Sequence, residues 1–393
     1  MGVIPSKARR ISQKISSLNY KRIIHYLLTS EPPISRARIS KDLHISFPAS
    51  SDIVSKLIRE GLIVEEGKGQ AHIGRKPILL RVNDRYGLSV VVQIGYEVVR
   101  IHILDISGSL IKREDFDFSR NQDFPSLLNE IVRRIEEIVI PLLSKGFDHF
   151  LGMSFSVPAP IDYRNNRIIW SRFYGWKNEL LPSKVLVLNK QVDVFWENDS
   201  NLLAYGASQT FGDIKDLLAF YLGIGIGAGI VLGGKLHRGF DGMAGEIGQV
   251  LVPFKGQFLE LERVISEESL VGLAKRCFPD KSMESSEHLL ELLEREAAKE
   301  HVKKELERIA ETVAQFLAVI TIALDPEIVV FDGEIVRRFP TLLEMILGKL
   351  AKLSRKKREV FKAADEHADF AIRGAHRLIL RKWFGLDEIE DLH

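Results

Sequence analysis

The amino-acid sequence predicts an α/β protein in which an N-terminal winged helix-turn-helix precedes a duplicated, two-lobed body. Three observations carry that expectation. The first 85 residues hold three short amphipathic helical segments, then two strand-like runs around a glycine-rich turn. Two well-separated later stretches each open with a glycine-jointed strand meander. Finally, 393 residues exceed what one ordinary core fills.

Composition narrows the class. Apolar residues make up 45% and charged residues 27%, the balance of a globular chain rather than a disordered or fibrous one. No window approaches the roughly 18 consecutive apolar residues of a membrane span. The basic start, MGVIPSKARRISQKISS, lacks the apolar stretch of a secretory signal. One cysteine, Cys277, excludes an internal disulfide and a cysteine-cluster metal site. A cytoplasmic protein without a membrane partner is expected. The net charge of +2 conceals an asymmetry: residues 1–85 carry 16 Lys and Arg against 7 Asp and Glu, leaving 39 against 46 for the rest. A head at +9 on a body at −7 suits contact with a polyanion, although a solvated helical surface has the same composition.

In the head, Ile23/Leu27 and Ile24/Leu28 repeat at four-residue spacing within residues 19–30, one apolar helix face. Glu31-Pro32-Pro33 ends that helix, because proline lacks an N–H and clashes with the preceding turn. Ser35 caps a second short helix, with Ile39 and Leu43 turned inward, and His44-Ile45 makes a tight connection. Ser46 caps a third, with Pro48 in its first turn, where the missing donor costs little. Ile53/Leu57 and Val54/Ile58 bury one face of it, and Gly61 closes it. Residues 62–66 and 78–82 then form a wing.

In such a module the third helix enters the major groove of double-stranded DNA. Beside Ser46 at its start, the positions read as exposed to bases are Phe47, Ala49, Ser50, Ser51 and Ser55. Lys56, Arg59, Lys68, Arg75 and Lys76 suit phosphates or the minor groove. Asp52 fits a polyanion poorly, though a carboxylate can accept from cytosine N4. A three-helix module also serves protein docking; the basic excess and the wing favour DNA.

From Leu88 the chain changes character. LSVVVQIG, YEVVRIHILDISG and SLIKREDFDF are strand-like runs joined at Gly95 and Gly108, followed by an amphipathic helix over 125–145 and a buried strand in HFLGMSFSVPAP. DLLAFYLGIG, AGIVLGG and KLHRG open a second half in the same way. Residues 264–325 read as mainly helical, and PEIVVFDGEIV as a strand entering a glycine turn. Two such halves leave a cleft between lobes, a preferred small-molecule site.

Specific motifs accompany this order: GRKPILLRVN in the head, then SFSVPAPID, WENDSNLLAYG, LGIGIGAGIVLGGKLHRGFDGMAGEIG and LERVIS. Together they resemble the ROK family of sugar-responsive transcriptional repressors and sugar kinases, over nearly the whole chain. The resemblance implies a pair of actin-like, ribonuclease-H-like lobes, and the winged head points to the repressor branch. It also implies a sugar site. Asn198 and Asp199 follow the strand VDVFW and should project into the cleft, an amide and a carboxylate suited to vicinal hydroxyls. In family kinases the matching aspartate takes the proton from the attacking hydroxyl, so Asp199 is the catalytic base if the chain is a kinase. A helix cap over 200–208 is the competing role for the pair. Glu246, in AGEIG, and Glu262, in LERVIS, match family sugar contacts.

Departures from the family matter equally. Gln249 stands where histidine is usual, and the family's cysteine-rich zinc loop is replaced by VLVPFKGQFLELE, so no structural zinc is expected. The first phosphate turn reads Gln93-Ile94-Gly95-Tyr96-Glu97, with an amide for the carboxylate and a tyrosine for the second glycine. The second holds Ile224 between Gly223 and Gly225 in place of a threonine. Gly95, Gly223 and Gly225 are thus the remnants of a phosphate site, and ATP with magnesium is expected only if kinase activity survives. Ala159 replaces a common glycine, and Arg172-Phe173-Tyr174 occupies a region that often supplies a sugar-binding asparagine; its aromatics either stack on a sugar or pack the lobe.

The expected organisation is a DNA-binding head over 1–85, a first lobe over 86–198 and a second over 199–393, whose C-terminal helix has the option of returning to the first lobe. The expected protein is a repressor that grips operator DNA as a homodimer, with tetramers left open, and responds to a small carbohydrate. Its rivals are a sugar kinase that kept the head and a regulator with a vestigial cleft controlled by a docking protein.

Overall fold

The computed structural model describes residues 7–30, 33–68, 77–212, 214–365 and 369–386. The head comprises α1 (Lys7–Thr29), β1 (Ile34–Ser35), α2 (Arg36–Asp42), α3 (Phe47–Arg59), β2 (Ile63–Lys68) and β3 (Ile78–Val82). The first helix starts earlier than its apolar repeat indicated and is finished by Thr29; Glu31 and Pro32 lie outside the described residues. The Ser35 hydroxyl caps α2 by accepting from Arg38 N at 3.2 Å. Ser46 holds the capping position of α3, but its side chain makes no capping bond, a correction to the sequence reading. The wing is a three-stranded sheet in the order β1-β3-β2. Its glycine-rich tip, with Arg75 and Lys76, lies outside the described residues. Ile23, Ile24, Ile39, Val54 and Leu57 fill the head core.

The first lobe contains β4 (Gly87–Ile94), β5 (Val98–Asp105), β6 (Leu110–Asp117), α4 (Phe124–Ser144) and β7 (His149–Val157). It continues with β8 (Ile161–Asp162), β9 (Arg167–Trp170), β10 (Lys177–Leu180), β11 (Lys184–Val187) and β12 (Lys190–Asn198), after which α5 (Asp199–Thr210) leads out. The second lobe contains β13 (Leu217–Leu222), β14 (Ile226–Leu232), β15 (Lys235–Leu236), the hairpin β16 (Leu251–Phe254) and β17 (Gln257–Glu260), and four helices. These are α6 (Glu262–Ile265), α7 (Glu267–Cys277), α8 (Ser286–Arg295) and α9 (Glu300–Leu324). Then come β18 (Ile328–Asp332), α10 (Glu334–Arg338), α11 (Pro340–Ser354), β19 (Phe361–Ala363) and α12 (Phe370–Phe384).

The two sheets repeat one plan. The first runs β11-β12-β7-β4-β5-β6 and the second β15-β14-β13-β18-β19. In each, an antiparallel three-strand meander is followed by two parallel additions: β4 to β7 to β12, and β13 to β18 to β19. Near-continuous apolar strands such as Gly87–Ile94 follow from burial of both faces of the sheet.

Helix α5 joins the sheets, and α12 lies along it and against β7. The two helices approach closely because Gly206 and Gly374 leave their backbones bare: a Cβ on Gly206 would collide with the Phe370 carbonyl, and one on Gly374 with the Leu202 carbonyl. On its other side α12 shares a buried apolar cluster with the head, through Ile379 and Leu380, joined by Leu386 just beyond its end. Among the described residues no helix is long and apolar enough to cross a membrane.

Candidate functional site

The strand ends of both sheets converge on a cleft with a cavity of about 130 Å³. That is close to the ~150 Å³ of a protein cavity that accepts one six-membered ring. Asn198, Asp199, Glu246 and Glu262 all line it, so the structure brings the four predicted sugar residues together.

Each is held by its own local geometry. Asn198 ends β12 and caps α5: its carboxamide oxygen accepts from Ser200 N at 2.9 Å and Asn201 N at 3.2 Å. The helix-cap role is therefore real for Asn198, and only its amide, 3.4 Å from the Ala159 carbonyl, faces the proline loop. Asp199 accepts from Ser200 N at 2.7 Å. Burial nevertheless pushes its carboxyl up to about 6.

Glu246 follows Gly245, whose φ of +91° permits the turn. Gln249 donates to the Glu246 carboxylate at 3.1 Å, so the amide that replaces histidine orients this group. Burial, and then the neighbouring Asp199 charge, push Glu246 up to about 7. Glu262 opens α6 and is raised by burial, against the lowering effect of Arg172, whose guanidinium lies 3.4 Å away. Arg172 also pairs with Glu260 at 2.8 Å, so this first-lobe arginine bridges the cleft to the second lobe. Burial that disfavours three negative charges in one cleft suits neutral hydroxyl groups, which can both donate to and accept from these carboxyls.

The aromatic segment divides its work. Trp170 and Phe173 line the cleft, whereas Tyr174 is buried in the first-lobe core and donates to the Gly95 carbonyl. The phosphate corner is filled. Arg120 stacks 3.9 Å above the Tyr96 ring and pairs with Glu97 at 2.6 Å, while Phe173 meets that ring edge-on at 5.3 Å. Glu97 is thus engaged rather than facing a phosphate. Gly95 and Gly225 line the cleft, but Gly223 faces away, packed against Tyr221 and Glu334. The Tyr221 hydroxyl donates to Glu334 at 2.6 Å. After Gly248, where the family's zinc loop would stand, the chain folds as the β16–β17 hairpin.

Sequence reasoning missed a buried ionic cluster behind the cleft. Glu197 on β12 is 1% exposed and pairs with Arg238 at 2.7 Å. Its only sequence signal is a charged residue at the inward end of an apolar strand.

The reading helix needs one correction. Ser50 is not available to bases: it is fully buried and bonds the Phe47 carbonyl at 3.0 Å, because positions 50, 54 and 57 share the inner face of α3. Ala49 is half-buried against the head core, Ser51 and Ser55 are partly exposed, and Phe47 is 53% exposed. Lys56 sits 4.5 Å over the Tyr20 ring and 3.7 Å from Glu60; Arg59 is exposed.

Residues 89–382 match the model of the ROK family. A xylose repressor of Caldicellulosiruptor bescii is 31% identical over 254 residues, 62% of each chain, so the match spans under two thirds of that relative's length. The crystal structure of a ROK family transcriptional regulator, a homolog of the E. coli MLC protein, aligns with a TM-score of 0.74 at 17% identity, over 96% of this chain and 98% of that one. A ROK hexokinase from Thermus thermophilus aligns with a TM-score of 0.57 at 19% identity, over 75% of this chain and 99% of that one. The expected fold, a winged helix-turn-helix on an actin-like two-lobed body, is borne out.

Proposed function

The chain belongs to the ROK family, and from that premise we propose that it is a transcriptional repressor whose winged head binds operator DNA and whose cleft binds a small neutral sugar. The observation that carries this reading is the union, in one chain, of a basic winged head with a cleft edged by Asp199, Glu246 and Glu262 beside a filled phosphate corner. Similarity to a xylose repressor makes D-xylose the first effector to test. Phe47, Ala49, Ser51 and Ser55 face the bases; Lys56, Arg59 and the wing residues Lys68, Arg75 and Lys76 take phosphates. The protein acts as a homodimer on a two-fold operator, because one reading helix spans too few base pairs for useful specificity. Sugar and DNA then oppose each other by the same coupling factor, whichever binds first.

A sugar kinase is the second reading, supported by Asp199 at the strand end, where a base would stand. Against it weigh the Tyr96–Arg120 stack in the first phosphate turn and Ile224 in the second. The test is a thermal-shift panel of pentoses and hexoses on the full chain, with and without ATP and magnesium, beside retardation of genomic duplexes. The repressor reading expects a stabilising sugar, no further shift with ATP, and release of a retarded duplex by that sugar. Sugar-dependent ATP consumption, lost in Asp199→Asn, would replace it with the kinase. Duplex binding indifferent to every sugar would replace it with a regulator read by a docking protein.

A further inference from the structure

We propose that the Glu197–Arg238 ion pair is the positioning element of the sugar cleft, fixing the loop that carries Glu246 against the strand end that carries Asn198 and Asp199. The proposal rests on the reading of the cleft as a sugar site.

Glu197 immediately precedes Asn198, and its neighbour Trp196 points to the opposite face of β12, stacked on Phe155 at 4.2 Å. The Glu197 side chain therefore enters the space between the lobes. There its Oε2 accepts from Arg238 Nε at 2.8 Å and pairs with Nη2 at 2.7 Å. Its Oε1 accepts from the Tyr163 hydroxyl, from Asn201 Nδ2 at 2.9 Å and from Asn198 N at 3.0 Å. Both oxygens are fully occupied, the condition under which a buried carboxylate holds its charge and its place.

Arg238 belongs to the second lobe by sequence, yet every one of these partners is first-lobe or α5. The loop after it is gripped twice more. Gly242, at φ +72°, passes so close to the Ile161 carbonyl that a Cβ would collide with it. Arg164 on the β8–β9 turn stacks 3.7 Å over Phe240. The loop then returns to its own lobe, where Ala228 N donates to the Gly245 carbonyl at 2.8 Å, one residue before Glu246. Glu246 is thus delivered from a segment whose near end is bolted to the first lobe by Arg238 and whose far end is bolted to the second. Asn198 and Asp199 extend from the same Glu197. One carboxylate sets both sides of the cleft, and neither Glu197 nor Arg238 lines the cavity.

Calorimetric titration of the full-length protein with D-xylose, or with whichever sugar of the panel stabilises it, tests this. Wild type, Arg238→Ala, Arg238→Lys and Glu197→Gln are compared, with operator affinity in the absence of sugar measured alongside. Arg238→Ala and Glu197→Gln should bind sugar at least tenfold more weakly, Arg238→Lys should recover to within about threefold, and sugar-free operator affinity should stay within twofold throughout. Tyr163→Phe, which removes one donor and keeps the ring, should lose about threefold and serves where a charge variant fails to fold. Wild-type sugar affinity in the folded variants, or Arg238→Lys as weak as Arg238→Ala, would overturn the positioning role. A wild-type protein that responds to no sugar of the pentose and hexose panel overturns the sugar reading itself, a separate outcome.

Discussion

His25 on the first helix of the head and Arg377 on α12 meet ring nitrogen to guanidinium at 2.7 Å, across 352 residues of sequence. Arg377 is 7% exposed, and its helix lies along α5, which the cleft's Asn198 caps and Asp199 opens. A continuous run of packed side chains therefore connects the cleft to the head.

Arg377→Ala should cost about 1–3 kcal/mol of stability by removing a buried guanidinium and the partner of the half-buried His25. It should also shrink the sugar-induced change in operator affinity while sugar affinity is kept. Calorimetric unfolding and operator titrations with and without sugar measure both effects.

The α5–α12 crossing makes its own demand. Gly206→Ala places a methyl group against the Phe370 carbonyl, a backbone atom that a rotamer change cannot move. The expected loss is roughly 3 kcal/mol, visible as a fall in thermal midpoint and in the denaturant midpoint.

Cleft carboxylates give a pH signature. Asp199 and Glu246 are held at about 6 and about 7, above their ordinary 3.8 and 4.5. Raised acids stabilise the fold while protonated, so that stability is present at low pH and is lost as pH rises through those values. Burial holds His102 and His376 down at about 4, from 6.5, which acts in the opposite sense below pH 6.5. Comparison with Glu246→Gln isolates the Glu246 contribution: between about pH 6 and 8 the sugar-free thermal midpoint of the wild type should fall relative to that of Glu246→Gln.

On the DNA face, Arg59→Ala should reduce the slope of log affinity against log salt by about one, the loss of one phosphate contact. Phe47→Ala should leave that slope intact and weaken the cognate operator more than a scrambled duplex. An unchanged slope in Arg59→Ala would remove that residue from the interface.

Much of this architecture is legible in the amino-acid sequence. The first strand of the meander, Gly87–Ile94, is plain because a strand buried on both faces is written as an unbroken apolar run, and Gly95 and Gly108 mark its turns. Two four-residue repeats were enough to mark α3. Ser50 was misread although its spacing to Val54 and Leu57 already placed it on the inner face; small polar side chains hide on apolar stripes by bonding their own backbone. The four cleft residues were reached through motif resemblance, and their convergence needed tertiary structure. Arg172 spanning to Glu260 and Glu262, Glu197 with Arg238, and the bare crossing of Gly206 with Gly374 have no local signature, since each depends on partners tens or hundreds of residues away.

Because α12 follows both sheets in chain order, a ribosome releases the head long before the helix against which it leans. The flank of the head that bears His25 meets Arg377 only after the second sheet has been synthesised. A nascent polypeptide thus leaves an apolar flank of its head open to water until its last helix emerges.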